Sequence, residues 1–237
     1  MTPEVLAALQ AAKDAKRPVA LLTRLSDGEQ LLWPDQTVPA ALAEAAGAAL
    51  RDDAAANLTL DGEAWFVHPY NPPLRLIVVG AVHIAQALVP MAQNLGFAVT
   101  VVDPRRAWAT AERFPGITLI HEWSDDAVAA LAPDSRTAVV TLTHDPKLDD
   151  PGLDVALKSD CFYIGALGSR RTHAKRVARL TEMGHTEAAI ARIHAPVGLN
   201  IEAVTAPEIA LSILAEVVAT RRGAALARRA PAAAAAA

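Results

Sequence analysis

The stretch Leu74–Asp103, LRLIVVGAVHIAQALVPMAQNLGFAVTVVD, constrains the fold more than any other part of the chain. Leu74–Val79 is a short continuous apolar run, the pattern of a strand buried on both faces. Gly80 breaks it, and Ile84, Leu88, Met91 and Leu95 then recur at helical spacing over 83–95. Gly96 stands where a helix end favours a residue without a Cβ. Phe97–Val102 is a second apolar, β-branched run, and it stops at Asp103. Strand, turn, helix, strand and acid, with about twenty residues from turn to acid, are the signature of a dinucleotide-binding βαβ unit. Read as G-x-G-x-x-A, the turn has Gly80 and Ala85, but Val82 holds the place of the middle glycine. A branched side chain there obstructs the close backbone approach that a pyrophosphate needs.

Downstream the alternation continues. The patterning predicts a short helix over 106–113, a strand over 116–120, a helix over 125–131 and a strand over 136–142 that ends at Thr143-His144-Asp145. A helix around 154–157 leads to a strand over 162–164. The turn Gly165-Ala166-Leu167-Gly168-Ser169 then opens a basic helix from Arg170 to about Met183. A short helix over 185–192 and an irregular loop over 194–199 precede the last helix. Its start is a capping box, Thr205-x-x-Glu208, with Pro207 in the first turn. Strands alternating with helices imply a parallel sheet joined by right-handed crossovers. The expected fold is therefore α/β, a Rossmann-like parallel sheet with helices on both faces, over residues 74–223. Residues 1–73 form a small N-terminal α+β module: a helix over 3–16, a hairpin over 18–33, an Ala-rich helix over 38–51, a hairpin turning at Asp61-Gly62 and a Pro-rich linker. Residues 224–237 are a low-complexity tail to which no function is assigned.

With 237 residues and 52% hydrophobic side chains the chain has enough apolar material for a sizeable core, and aromatics at 4% leave Ala, Val, Leu and Ile to fill it. A net charge of −4 argues against a general nucleic-acid binder. The single cysteine, Cys161, excludes a disulfide framework and any Cys-rich metal site, and its place at the start of an apolar strand suits a buried, inert thiol. The first residues lack a signal-peptide core, and no stretch is apolar for long enough to span a bilayer. A soluble, cytoplasmic protein is expected.

In parallel sheets, ligands bind outside the carboxyl ends of the strands. That rule gathers Gly80, Ala81, His83, Asp103, Arg105, Thr143, His144, Asp145 and the run 165–171 onto one rim. The run GALGSRR, opening a helix, offers backbone N–H groups, a dipole end, the Ser169 hydroxyl and the forked charges of Arg170 and Arg171, with Lys175 one turn on. It reads as an anion site, or more plainly as a solvated basic helix face. His83 and His144 are the candidate acid–base groups, although a lone histidine more often serves a local hydrogen bond. With a carboxylate the two could bind a metal, but no metal site is assigned. Asp103 either meets ribose hydroxyls or ends its strand by pairing with Arg105 or Arg106. Glu208, Ser212 and Glu216 recur every four residues along the last helix, as a solvent stripe or as a polar seam facing the crevice or a partner.

Taken in order, several short runs make a specific pattern: Gly80-Ala81-x-His83, Val102-Asp103-x-Arg105, Arg113-Phe114-Pro115 and Thr143-His144-Asp145. They continue with Tyr163-Ile164-Gly165-x-Leu167-Gly168-Ser169-Arg170-Arg171, His194-Ala195-Pro196-x-Gly198-Leu199 and Glu208-Ile209-Ala210-x-Ser212-Ile213-x-Ala215-Glu216. On these residues the chain resembles the XdhC/CoxF family, accessory proteins of molybdenum hydroxylases, over roughly residues 74–223. The resemblance implies a Rossmann-type domain that binds molybdenum cofactor, as molybdopterin or its dinucleotide form. Such a protein hands the cofactor to an apo molybdenum hydroxylase, such as xanthine or carbon monoxide dehydrogenase, in company with cofactor-biosynthesis proteins. It implies a carrier rather than a catalyst, and leaves a homodimer open. The implied cofactor-binding set is Gly80, Ala81, His83, Asp103, Arg105, Thr143, His144, Asp145, Gly165, Gly168, Ser169, Arg170 and Arg171. Val82 stands for the family's middle glycine, Glu202 for a glycine expected after Leu199-Asn200-Ile201, and the shortened N-terminal region lacks the family's Gly-Gly-Cys motif. Two other readings use the same crevice. One is a FAD- or NAD(P)-dependent oxidoreductase with His83 or His144 as acid or base; the other is a non-catalytic partner protein that has lost ligand binding.

Overall fold

A computed structural model describes residues 1–224, which divide after Pro73 into two compact units. Residues 225–237 of the low-complexity tail lie outside the described residues. The first unit contains α1 (Pro3–Asp14), β1 (Val19–Arg24), β2 (Gln30–Trp33), α2 (Ala40–Asp52), β3 (Ala56–Leu60) and β4 (Glu63–Tyr70). Its four strands form an antiparallel sheet in the order β2-β1-β4-β3. Alternate residues of β1 face opposite ways: Ala20 and Leu22 pack with Leu42, Ala46 and Ala49 of α2, while Val19 and Leu21 pack with Leu9 and Ala12 of α1.

The second unit begins with β5 (Arg75–Val79), α3 (His83–Asn94), β6 (Ala98–Val102), β7 (Thr118–Ile120), α4 (Ser124–Ala130) and β8 (Thr137–Thr141). It continues with α5 (Pro146–Leu157), β9 (Tyr163–Ala166), α6 (Arg170–Glu182), α7 (Glu187–Ile190), β10 (Ile193–His194) and α8 (Ala206–Arg221). Six strands, all parallel, run in the order β10-β9-β8-β5-β6-β7, so the order reverses between β5 and β8. The period of two along each strand divides the core into two layers. Leu76 and Val78, with Val99, Val101, Ala138 and Val140, lie under α3 and α8. Ile77 and Val79, with Val102, Val139 and Ile164, lie under α4, α5 and α6. This is the Rossmann-like sheet with helices on both faces that the alternation predicts. No helix among the described residues is long and apolar enough to cross a membrane.

Four local expectations need correction. Residues 106–113 form two successive turns and not a helix. The Arg113 guanidinium, donating to the carbonyls of Ala81 (2.9 Å) and Trp108 (2.5 Å) and to Gln86 Oε1 (2.9 Å), folds the segment back by long-range bonds. Helix α5 starts at Pro146, well before residue 154. Pro146, Pro151 and Gly152 hide it from propensity, but Pro146 is tolerated in the first turn and Asp145 caps it, its Oδ1 accepting from Lys147 N–H at 3.0 Å. Strand β9 continues through Gly165 and Ala166, which the sequence suggests as turn, and His194 belongs to the two-residue strand β10.

Gly165 is a packing glycine. A Cβ there would stand 2.6 Å from Val197 Cγ2 and 2.8 Å from the Tyr163 ring. Gly165→Ala should therefore destabilise by about 1–3 kcal/mol, seen as a lower urea midpoint. The same substitution in a Val197→Ala background should be milder. Equal midpoints for Gly165→Ala and wild type would show that the edge of the sheet yields more freely than this packing implies.

Candidate functional site

At the carboxyl end of β5, Gly80 has φ +108, and a Cβ there would meet Thr143 Cγ2 at 2.5 Å, so the turn admits only glycine. Val82 needs no such freedom: its backbone is extended (φ −90, ψ 176) and its side chain packs against the core. Helix α3 starts without a side-chain cap, and His83, its first residue, is exposed. Asp103, 1% exposed, closes the turn from the end of β6. Its Oδ2 accepts from Ala81 N–H (2.8 Å) and Arg105 Nη2 (2.7 Å), and its Oδ1 from the Arg105 backbone N–H and Nε (2.9 Å each). Burial pushes the carboxyl upward, but these bonds outweigh it and hold the acid below its usual range. Arg105 in turn lies over the Trp108 ring at 4.9 Å. Of the two roles the sequence allows, Asp103 takes the pairing with Arg105.

Beyond β8, Thr143, His144 and Asp145 are held by a residue that no sequence motif singles out. Asp149, fully buried in α5, accepts from Thr143 N–H (3.2 Å), Thr143 Oγ1 (2.7 Å) and His144 N–H (3.1 Å). His144 adopts φ +63 to do so. Burial raises the Asp149 pKa, and its hydrogen bonds and Arg176 recover part of that penalty. Arg176 of α6, 2% exposed, lies 3.6 Å from both Asp149 and Asp150 and donates to the Leu167 carbonyl at 3.1 Å. Burial lowers its pKa. Asp150 forms its close ion pair with Arg179. Among the described residues no group of three or more His, Cys, Asp or Glu side chains could hold a metal, so His83 and His144 build no such site.

The start of α6 separates two concavities. Gly168, at φ +138, closes the turn against Thr172, and the Ser169 hydroxyl is spent as the cap, accepting from Thr172 N–H at 3.2 Å. Arg170 and Arg171, a helical step apart, then part company: Arg170 lines a cavity of about 590 Å³, and Arg171 a pocket of about 230 Å³. The larger cavity lies at the carboxyl ends of β9 and β10, against α8 and the loop 195–204. Glu216 of α8 is fixed in its wall: Oε2 accepts from Tyr163 Oη (2.6 Å) and Gly198 N–H (2.9 Å), and Oε1 faces His194 Nδ1 at 3.3 Å. The His194 ring stacks on Tyr163 at 4.5 Å. Burial pushes the Glu216 pKa up, but the bonds from His194, Tyr163 and Gly198 hold it below the usual range. The buried Tyr163 hydroxyl, facing that carboxylate, is raised well above its ordinary value. A dyad so oriented leaves His194 Nε2 as the nitrogen available to a ligand.

The predicted set is thus brought to the rim but divided. Gly80, Ala81, Asp103 and Arg105 lock one another; Thr143, Asp145 and Ser169 serve as caps and props; Gly165 is interior to β9. The pattern of Glu208, Ser212 and Glu216 splits as well: Glu208 completes the capping box of α8, while Ser212 and Glu216 line the larger cavity. His194, Asp149 and Arg176 are among the rim residues absent from the predicted set. A proline-rich helix hides Asp149, and in sequence Arg176 looks like one more solvated base. Glu202, standing where a glycine is expected, keeps a glycine-like backbone at φ +56 beside the cavity.

A family profile described as the XdhC Rossmann domain matches residues 76–217. An uncharacterised protein of Escherichia coli, YqeB, is 38% identical over 162 residues, covering 67% of this chain and 29% of that protein. The molybdenum cofactor insertion chaperone PaoD of Escherichia coli is 35% identical over 152 residues, covering 64% and 42%. A Bacillus subtilis protein described as a probable xanthine dehydrogenase subunit is 32% identical over 158 residues, covering 66% and 46%. The matched region is thus less than half the length of each of these relatives. A solved structure of a xanthine dehydrogenase from Bacillus halodurans, 24% identical, superposes with a TM-score of 0.71 over 93% of this chain and 67% of that one, a likeness of fold.

The Glu216 array has a pH signature. A carboxyl whose pKa is depressed on folding contributes stability that is full above its unfolded value, about 4.3, and is lost as pH falls through the folded value. Glu216→Gln should remove that contribution, so denaturation free energies of wild type and variant should converge as pH drops below about 4. A constant gap between them at every pH would mean that the ionised carboxylate adds nothing beyond its hydrogen bonds.

Proposed function

The chain belongs to the XdhC Rossmann-domain family, and from that premise we propose that it binds molybdenum cofactor and takes part in maturing a molybdenum hydroxylase. One observation supports this above all: a cavity of about 590 Å³ whose wall carries the fixed Glu216–His194 pair and whose edge carries Arg170 at a helix start. The volume lies in the range of cofactor sites, which run to roughly 300–1,000 Å³. A pterin that carries phosphate needs polar groups for its heterocycle and a positive end for its anion. His194, Asn200 and Ser212 meet the first need; Arg170 and the dipole of α6 meet the second. When bound, the cofactor supplies the redox-active molybdenum that a hydroxylase uses. The residues of this chain bind it, orient it and keep it from water. Cys161 is buried, with its thiol pushed up by that burial, and does not line the cavity. The site therefore holds the organic part of the cofactor, as suits a carrier that must release its cargo to an apo-enzyme.

The reading as a FAD- or NAD(P)-dependent oxidoreductase would draw on the β5–α3 turn. There the acid that would meet a ribose is already sealed between Ala81 N–H and Arg105, which favours the carrier.

Two measurements test the proposal. In anoxic calorimetry, Arg170→Ala should weaken binding of purified molybdenum cofactor about tenfold while the protein melts near wild type, since Arg170 is exposed. In a deletion strain, a molybdenum hydroxylase should accumulate but stay inactive. No saturable binding by the folded wild-type protein, or full hydroxylase activity in the deletion strain, would contradict it.

A further inference from the structure

We propose that the smaller pocket, on the Arg171 face of α6, is a second anion site that binds the phosphate group of free phosphate or of a phosphate monoester. It is lined by His144, Pro146, Arg171, Thr172, Lys175, Arg176 and Arg179, and it shares no lining residue with the larger cavity. Its volume of about 230 Å³ holds a phosphate group with attendant water and falls below the roughly 300 Å³ at which whole-cofactor sites begin.

Four cationic side chains line this pocket, and the buried carboxylates behind them are largely engaged elsewhere. Asp149 accepts from Thr143 and His144, and Asp150 makes its close pair with Arg179. Arg176 is left short of partners. Only Nη2 makes a hydrogen bond, to the Leu167 carbonyl; Nε and Nη1 are buried with none, and the carboxylates at 3.6 Å are beyond hydrogen-bond reach. A guanidinium 2% exposed with two unsatisfied nitrogens is an expensive arrangement for a fold to keep. A phosphate oxygen in the pocket offers the acceptors it lacks. Arg171 and Lys175 are exposed and form no ion pair among the described residues, so their charges remain to close over the anion. The forked donors of Arg176 and Arg171 and the point charge of Lys175 suit a phosphate oxyanion.

This inference does not depend on what fills the larger cavity, because Arg170 and Arg171 serve the two sites separately. The test titrates the full chain with inorganic phosphate and, in a second arm, with glycerol 3-phosphate, followed by calorimetry at low and high salt. Saturable binding that weakens with salt is expected. Arg171→Ala and Lys175→Ala should each reduce affinity about tenfold. Arg176 is buried against two aspartates and its removal endangers folding, so the two exposed variants carry the test. Binding in the inorganic arm alone identifies the free ion as ligand, and binding in the monoester arm alone identifies a phosphorylated metabolite; both support the site. Absence of saturable binding in both arms, or affinity unmoved by both exposed variants, would overturn it.

Discussion

The buried Arg176, set between Asp149 and Asp150, is the interaction on which the candidate site depends. It joins α6 to α5 and, through the Leu167 carbonyl, to the end of β9. Asp149 extends the connection to the end of β8 by holding Thr143 and His144. One cation and two carboxylates thereby fix two loops of the rim, those after β8 and β9. Breaking such a group by removing one partner is strongly destabilising, by about 3–5 kcal/mol, because a buried charge is left alone. Well-packed apolar residues would hold these elements with less electrostatic tension. That the chain keeps a charged cluster here, with part of its hydrogen-bonding capacity unmet, points to use of the charge as well as to structure.

The position of α6 follows from that anchor, and with it the division of the rim. Because successive helical residues point about a hundred degrees apart, Arg170 and Arg171 address different concavities. On one side lies the larger cavity, where Glu216 gathers Tyr163, Gly198 and His194. On the other lies the basic pocket. The β5–α3 turn, the usual place for a pyrophosphate in this fold, is stitched to itself by Asp103 and Arg105. In the proposed reading, ligand recognition lies toward the β9–β10 edge of the sheet instead.

How far this is legible in the sequence depends on whether a feature is local. Leu74–Asp103 spells out its βαβ unit because buried parallel strands and an amphipathic helix have strong, distinct periods. The capping box at Thr205 and Glu208 is equally plain, being a bond between residues three apart. Helix α5 is half hidden because Pro146, Pro151 and Gly152 speak against a helix that tertiary packing nevertheless imposes. Residues 106–113 fail in the opposite sense: helical composition is overridden by long-range bonds of Arg113. The site residues are harder still. That Glu216 faces inward while Glu208 caps its helix is decided by Tyr163 and Gly198, which are distant in sequence. No periodicity encodes such a meeting. The Glu202 backbone at φ +56 shows the same point from the other side, since a glycine's conformation is kept without the glycine.

The central claim is that the ligand of this Rossmann-type domain sits at the β9–β10 edge beside α6 and not at the β5–α3 turn. Hydrogen–deuterium exchange of the full chain, with and without molybdenum cofactor under anoxic conditions, tests it most directly. Slower exchange confined to residues 167–171 and 194–204, with 80–85 unchanged, is the predicted result. Protection centred on 80–85 and 103–106, with the edge cavity unaffected, would contradict it.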